Sequence, residues 1–411
     1  MSTALEYFEE HYDPYHPELS QKMWDVVEHL RARCPVAHSD STMGGGAFNG
    51  LWVLTQYEDI CAVLRDPQTF SSDPSRFNPE LVESPLGYFP PISLDPPLHQ
   101  KWRVLLNPRL TPKALASFEP GIRAIVTELI DGFLEEGHCD FVSQLARLLP
   151  SRMFFQVLFG IGDPEEVDRC LVWSDKVIYE QDGSPEFLEA MAAWVNWIAE
   201  FVSVRRAGPR REDLIDSLLF GTIDGQPLSD RDITGAIQIL TLGAFETTSD
   251  ALSAVMLKLT EFPEVQARLR GDPSLIPTVF DEILRVETPV ISLTRHCTRD
   301  VEIGGKQLKT GDTILMHFGA ANRDPAVFEN PTQCQWDRAD NRHIAFGLGP
   351  HRCIGSNTAR LNLRVVFEEV LARMDDIHVT PGDVPSQAPA TMTWGLKYLP
   401  ISFVPRPLVG G

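Results

Sequence analysis

Apolar residues along the chain recur mostly at helical spacing, and strand-like runs are few and short. The run "LWVLTQ" at 51–56 reads as a strand, and "YEDICAVLRDP" after it reads as a helix that stops at its proline. Residues 71–97, "SSDPSRFNPELVESPLGYFPPISLDPP", are proline-rich, and Tyr88, Phe89 and Ile92 within them predict a packed, functional loop. From His99 to about residue 285 the spacing is helical, with breaks near "GHCDF", "GIGDPEE" and "RRAGPRRED". The longest helical stretch is "SDRDITGAIQILTLGAFETTSDALSAVMLKLTEFP". Ser229 and Asp232 are spaced there as a capping box, and Pro263 marks the stop. About 30 residues at 1.5 Å rise give roughly 45 Å, enough to cross a whole domain. Its centre is apolar nearly all round, which predicts burial. Past residue 290 come two strand-like pieces, "DVEIGGKQL" and "DTILMHFGA", then an irregular stretch. The segment "FGLGPHRCIG" at 346–355 follows, and a final helix, "TARLNLRVVFEEVLARM". The pattern is mainly helical, without internal repeats or low-complexity tracts.

At 411 residues the chain is long enough for one large domain or two to three small ones, and 43% hydrophobic residues suffice for a full core. No run of about 18 apolar residues appears, which predicts no membrane span. The N-terminus, "MSTALEYFEEHYDPYHPELS", lacks the order of a signal peptide, so a cytoplasmic protein is expected. A formal charge of −21 disfavours nucleic acid and anionic membrane as general partners, although local patches can differ in sign. The seven cysteines, at 34, 61, 139, 170, 297, 334 and 353, are irregularly spaced and contain no CxxC. That argues against a structural zinc site or a thioredoxin-type centre, and leaves most of them as small buried hydrophobes.

Cys353 needs a separate account. It stands at the start of the final helix, where amide dipoles favour a thiolate, with His351 and Arg352 as positive or hydrogen-donating neighbours. Gly347, Gly349 and Gly355 let backbone approach something bulky and let N–H groups point at sulfur. A thiolate on a glycine-paved surface suits a large planar metal cofactor. A catalytic cysteine is a second reading, but no base with an orienting partner lies nearby in sequence. A buried helix-capping thiol is the third, and the glycines, Phe346 and His351 at fixed offsets disfavour it.

These residues carry a resemblance. "FGLGPHRCIG" is similar to the haem-binding loop of the cytochrome P450 family, FGxGxHxCxG, at Phe346, Gly347, Gly349, His351, Cys353 and Gly355. The resemblance runs from about residue 20 to the C-terminus. It implies that family's triangular fold, mainly α with small β-sheets and a long central helix, as one domain over 1–411. Residues 1–19 would be an extension without a membrane anchor. It also implies haem b as cofactor, Cys353 as axial thiolate to iron, and Phe346 packed near the sulfur to limit water.

"GAFETT" in the long helix resembles the family's oxygen-binding groove, [AG]-G-x-[DE]-T, with Ala244 where glycine is usual. An acid on an apolar helix is costly unless it serves something, and Thr247 bonded back to the Gly243 carbonyl loosens and bends a helix. By the resemblance Thr247 holds and protonates dioxygen, and Glu246 relays protons to it. "DEILRVETP" supplies Glu282 and Arg285, the family's ExxR pair, and "QWDRADNRH" supplies their partner Arg338; these three are expected to be structural. For the haem carboxylates the matching positions are His99 and Arg103 in "DPPLHQKWR", Arg295 in "SLTRHCTRD", His343 in "RHIAFG", and His351.

The implied reaction is monooxygenation, in which one oxygen of O2 enters a substrate. Its walls fall on Phe89, Ile92, Gly243, Ala244, Thr247, Val290, Ile291, Leu293, Met392 and Thr393, almost all apolar. A small or medium hydrophobic compound fits them, terpenoid-like first. The resemblance leaves no fused reductase, so electrons are expected from a separate ferredoxin and its NAD(P)H-dependent reductase. Lys101, Arg109, Arg352, Arg360 and Arg364 would form the basic docking face. A monomer is expected. The rival readings are a peroxide-driven haem-thiolate peroxygenase, expected to lack the Glu246–Thr247 pair, and a non-catalytic haem sensor or electron carrier, which needs no wide apolar pocket.

Overall fold

The computed structural model describes residues 5–41, 50–78, 88–179 and 184–406; residues 79–87 of the proline-rich stretch lie outside them. Five strands, β1 (Val36–Ser39), β2 (Leu51–Leu54), β3 (Phe70–Ser71), β4 (Ser292–Cys297) and β5 (Thr313–His317), form one sheet in the order β1-β2-β5-β4-β3. The central strand β5 is buried along its whole length, and pairs parallel with β2 and antiparallel with β4. A strand so placed carries a continuous apolar run rather than an alternating one. The expected strand "DTILMHFGA" ends early, because Phe318–Asn322 turns helical. His317 causes the switch: its Nδ1 accepts from the Ala320 N–H at 3.0 Å and caps the new turn.

Five helices frame the site: α1 (Leu98–Leu106), α2 (Pro185–Ala207), α3 (Asp230–Glu261), α4 (Ile276–Glu287) and α5 (Ser356–Arg373). The 32 residues of α3 span about 48 Å. Its capping box forms in both directions, Asp232 N–H to Ser229 Oγ at 3.1 Å and Ser229 N–H to Asp232 Oδ2 at 3.0 Å. Ile237, Phe245, Leu252, Val255 and Met256 of α3 are buried with Ile283 of α4 and Val366 and Phe367 of α5 in the main core. Each such side chain contributes about 1.5–3 kcal/mol. Thr241, Thr247 and Ser253 each bond back to a carbonyl one turn earlier, yet the backbone stays α-helical through all three, so the loosening expected at Thr247 does not break α3.

By length and composition alone α2 could cross a membrane. Its Phe187, Met191, Trp194, Trp197 and Ile198 instead pack into the main core, which accounts for the composition. In the expected N-terminal extension, Phe8 and Tyr12 are fully buried in a smaller cluster with Val53, Ile291 and Trp394.

The stretch between β5 and the Cys353 loop has little regular structure, so its carbonyls need partners from side chains. Glu282 and Arg285 of α4 supply them, at 1% and 0% exposure. Arg285 bonds Glu282 through Nε at 2.9 Å and Nη2 at 2.8 Å, and its other N–H groups reach the carbonyls of Asn322, Pro331 and Gln333. Arg338 Nε meets both oxygens of Glu282, at 3.1 and 3.0 Å, and the Gln335 N–H and Asn341 Nδ2 also donate to that carboxylate. Removing one partner of such a buried pair leaves uncompensated charge, at about 3–5 kcal/mol. Glu282→Gln is therefore expected to lower the unfolding free energy by about 3–5 kcal/mol in denaturant titration; wild-type stability would show that the network is dispensable.

Candidate functional site

The loop before α5 is closed by its own backbone. Cys353 N–H donates to the Phe346 carbonyl, and Gly347 N–H to that of Ile344, both at 2.8 Å. Gly347 and Gly349 have φ of 66° and 70°, and a Cβ on Gly349 would collide with the Leu64 carbonyl oxygen, so only glycine fits there. Cys353 lies just before α5, which begins at Ser356. Its thiol is accessible, yet densely surrounded by protein atoms, the mark of a recess. Burial pushes the thiol's pKa up, while the Gly355 N–H and the guanidiniums of Arg103, Arg352 and Arg360 pull it down without reversing the shift. Phe346 packs against the main core with the Arg360 guanidinium 4.5 Å over its ring.

Beside the loop, His99 and Arg103 from α1 and Arg295 from β4 meet His351. The His99 and His351 rings lie tilted at 35° with centroids 4.0 Å apart, and Arg103 Nη1 donates to the Arg352 carbonyl at 2.8 Å. His99 is 1% exposed and its Nδ1 has no partner. Arg295 is 7% exposed, bonds only the Thr294 carbonyl, and has no carboxylate within ion-pair range among the described residues. Burial, with neighbouring Arg103 and Arg295, lowers the pKa of His99 to about 4. Burial, with Arg295, His99 and Arg103, takes His351 to about 2, and burial takes Arg295 to about 10. Of the two roles the sequence leaves open for His351, positive or hydrogen-donating, the lowered pKa favours the hydrogen-donating one. His351 Nε2 lies 3.2 Å from Ser72 Oγ, and Asp95, bonded by Ser71 and Ser72, is an acid that acts on Arg295 through space. Buried donors without a counter-anion beside an accessible thiol on glycine fit a flat group that presents a metal on its face and carboxylates at its edge.

His343 stands apart from this group. Its Nε2 faces Asp281 Oδ1 at 3.8 Å, and its Nδ1 accepts from the Ala345 N–H. The sequence placed it with the others because it could not show Asp281 beside it.

On α3, Thr247 Oγ1 donates to the Gly243 carbonyl at 2.7 Å. Gly243 is exposed, and a Cβ there would touch nothing within 4 Å, while Ala244 and Glu246 are half-buried. Glu246 Oε1 accepts from Thr393 Oγ1 at 2.9 Å, and Thr393 Oγ1 lies 2.9 Å from Thr391 Oγ1. Burial raises the Glu246 pKa. Thr393, expected only as a substrate wall, is thus the acid's hydrogen-bond partner. The strand-like residues Val290 and Thr393 bridge, Ile291 N–H donates to the Met392 carbonyl at 3.0 Å, and Trp394 N–H to that of Pro289. Two stretches expected as walls are thereby joined to α3. Phe89, Val290, Leu293 and Met392 are half-buried and Ile92 is 39% exposed. Ile291 does not line an accessible surface: it is fully buried in the cluster with Phe8 and Tyr12, because its side chain points to the opposite side from Val290.

The five cations expected on one basic face are mostly compensated. Arg360 forks onto Asp281, Arg364 pairs with Glu119 and Glu368, and Lys101 pairs with Asp224. Arg109 bonds Ser217 Oγ at 3.2 Å. Arg352 is exposed and has no ion pair among the described residues. Glu368 stands four residues from Arg364 on α5, but Asp281, Glu119 and Asp224 lie far from their cations in sequence, so no local pattern signals those three.

The profile of the family described as Cytochrome P450 matches residues 186–399. The steroid C26-monooxygenase of Mycobacterium tuberculosis is 33% identical over 369 residues, covering 88% of this chain and 97% of that protein. The linalool 8-monooxygenase of Pseudomonas putida is 30% identical, covering 93% and 96%. Among solved structures, CYP109E1 from Bacillus megaterium in complex with corticosterone superposes with a TM-score of 0.82 at 28% identity, covering 95% of this chain and 100% of that one. With profile, relatives and fold in agreement, this chain belongs to the cytochrome P450 family, is a monooxygenase, and takes haem b bound through a cysteine thiolate.

Proposed function

We propose that Cys353 supplies that thiolate and that the protein is a single catalytic domain oxygenating a hydrophobic, terpenoid-like compound. The observation that carries the reading is the accessible Cys353 sulfur in its glycine-closed recess, next to buried donors that lack an anion. When bound, haem supplies the activation of dioxygen, which no side chain provides. Arg103 and Arg295 would hold its carboxylates by charge, and His99 and His351 by N–H donation. With haem in place, Phe346 and the closed loop would limit water at the sulfur. Thr247 presents a hydroxyl on the exposed notch at Gly243, and Glu246, held by Thr393, is the acid that passes it protons. The Gly243–Ala244 surface, Phe89, Ile92, Val290, Leu293 and Met392 offer apolar walls. The relatives named for linalool and a steroid support a hydrophobic substrate of isoprenoid character.

For electrons, a separate ferredoxin with its reductase fits best, and the protein would work as a cytoplasmic monomer. Arg352 offers the uncompensated charge for docking; Arg360 and Arg364 offer shape more than charge, since their partners neutralise them.

Three outcomes test this. Cys353→His is expected to abolish the red-shifted Soret band of the ferrous–CO complex while retaining some haem; a persisting band would move the ligand elsewhere. In Thr247→Ala, product formed per NAD(P)H consumed is expected to fall at least about tenfold, and an unchanged ratio would remove Thr247 from proton delivery. Titration with linalool or a steroid, followed by the low-to-high-spin Soret shift, should show saturable binding, whereas shifts only with charged compounds would refute the substrate class.

A further inference from the structure

One turn beyond Glu246 on α3 stands a second acid, Asp250, on the same helix face. It is 6% exposed, and its Oδ2 is buried without a hydrogen-bond partner. The other oxygen lies against Gly395, where a Cβ would collide with Oδ1 and Cγ of Asp250. The segment Thr391–Gly395 therefore closes over both acids, giving Glu246 a hydroxyl from Thr393 and leaving Asp250 only glycine backbone. An ionised Asp250 here would be a buried charge without a donor or a cation, which no fold tolerates cheaply.

We propose that Asp250 is a positioning residue for proton delivery: one helical turn from Glu246 and not hydrogen-bonded to it, its carboxyl forms with Glu246 an electrostatically linked pair that keeps one proton available through the neutral range. The inference rests on the reading of Glu246 as the relay. Among the described residues, the charged group that acts on Asp250 is Glu246, from its own helix. The residues packed on the pair, Thr391, Thr393 and Gly395, carry no ionisable group. Burial and the Glu246 carboxylate both raise the Asp250 pKa, well above the usual carboxylate range, and burial raises that of Glu246. Two like charges so placed titrate as a pair, and the pair as a whole keeps one proton to higher pH than either acid alone. In each turnover an O–H bond of the pair breaks and its proton leaves by way of Glu246. One proton from solvent re-forms that bond at the half-buried Glu246, and no electron moves.

The test uses the haem-loaded full chain. Infrared spectra at pH 7 are expected to show a protonated-carboxyl C=O band that shifts in D2O and is lost in Asp250→Asn. Its absence from the wild type overturns the proposal without any variant, as does its full retention in Asp250→Asn. In product formed per NAD(P)H against pH, the alkaline fall of Asp250→Asn is expected about one pH unit below that of the wild type, with the ferrous–CO spectrum unchanged. An identical profile would make Asp250 merely structural. Glu246→Gln separates the two ideas: if it leaves the ratio of product to NAD(P)H intact, the relay reading itself fails, whereas if it uncouples and Asp250→Asn does not, only the present inference fails.

Discussion

One buried carboxylate holds the part of the molecule that matters most. Glu282 cannot be solvated, so it must be matched by donors, and Arg285 and Arg338 match it from two directions. The same guanidiniums then use their remaining N–H groups on the carbonyls of Asn322, Glu329, Pro331 and Gln333. A stretch without a helix or sheet ladder thereby acquires fixed backbone positions. The Cys353 loop is the continuation of that stretch, so the accuracy with which the sulfur is placed derives from an ion cluster that takes no part in chemistry.

The site separates buried charge by sign. Around Cys353, cations and imidazoles crowd together at an electrostatic cost, visible in the depression of His99, His351 and Arg295. Along α3, a buried and a half-buried acid stand without a cation among the described residues, visible in the elevation of Asp250 and Glu246. Each group is unstable in isolation and is held by surrounding structure, the usual condition of a functional site. Charge at the surface follows the opposite rule. Arg123 and Arg364 interleave with Glu119, Glu368 and Glu369, so each guanidinium has carboxylates beside it.

Much of this was legible in the chain. Glycine at 347 and 349 reads directly as left-handed backbone, and the ExxR spacing of Glu282 and Arg285 puts both on one helix face. Asp250 was legible in principle, as an acid four residues past Glu246 on an apolar helix, yet nothing local distinguishes it from a solvated residue. His343, Ile291 and Arg360 were misjudged for a common reason. Their neighbours come from distant segments, and a residue's partner decides whether it is a free donor, a wall or a compensated charge.

By itself the sequence determined the local conformations and the chemistry available: a capped 32-residue helix, a glycine-closed thiol loop, a threonine bonded back along its own helix. These depend on interactions within a few residues, which spacing encodes. The tertiary structure alone decided which charges meet. It set Thr393 on Glu246, closed Gly395 over Asp250, turned His343 toward Asp281 and left Arg295 without a carboxylate. Charge and burial act through space, over segments that the chain order keeps far apart, so protonation and partnership emerge only once the chain has folded.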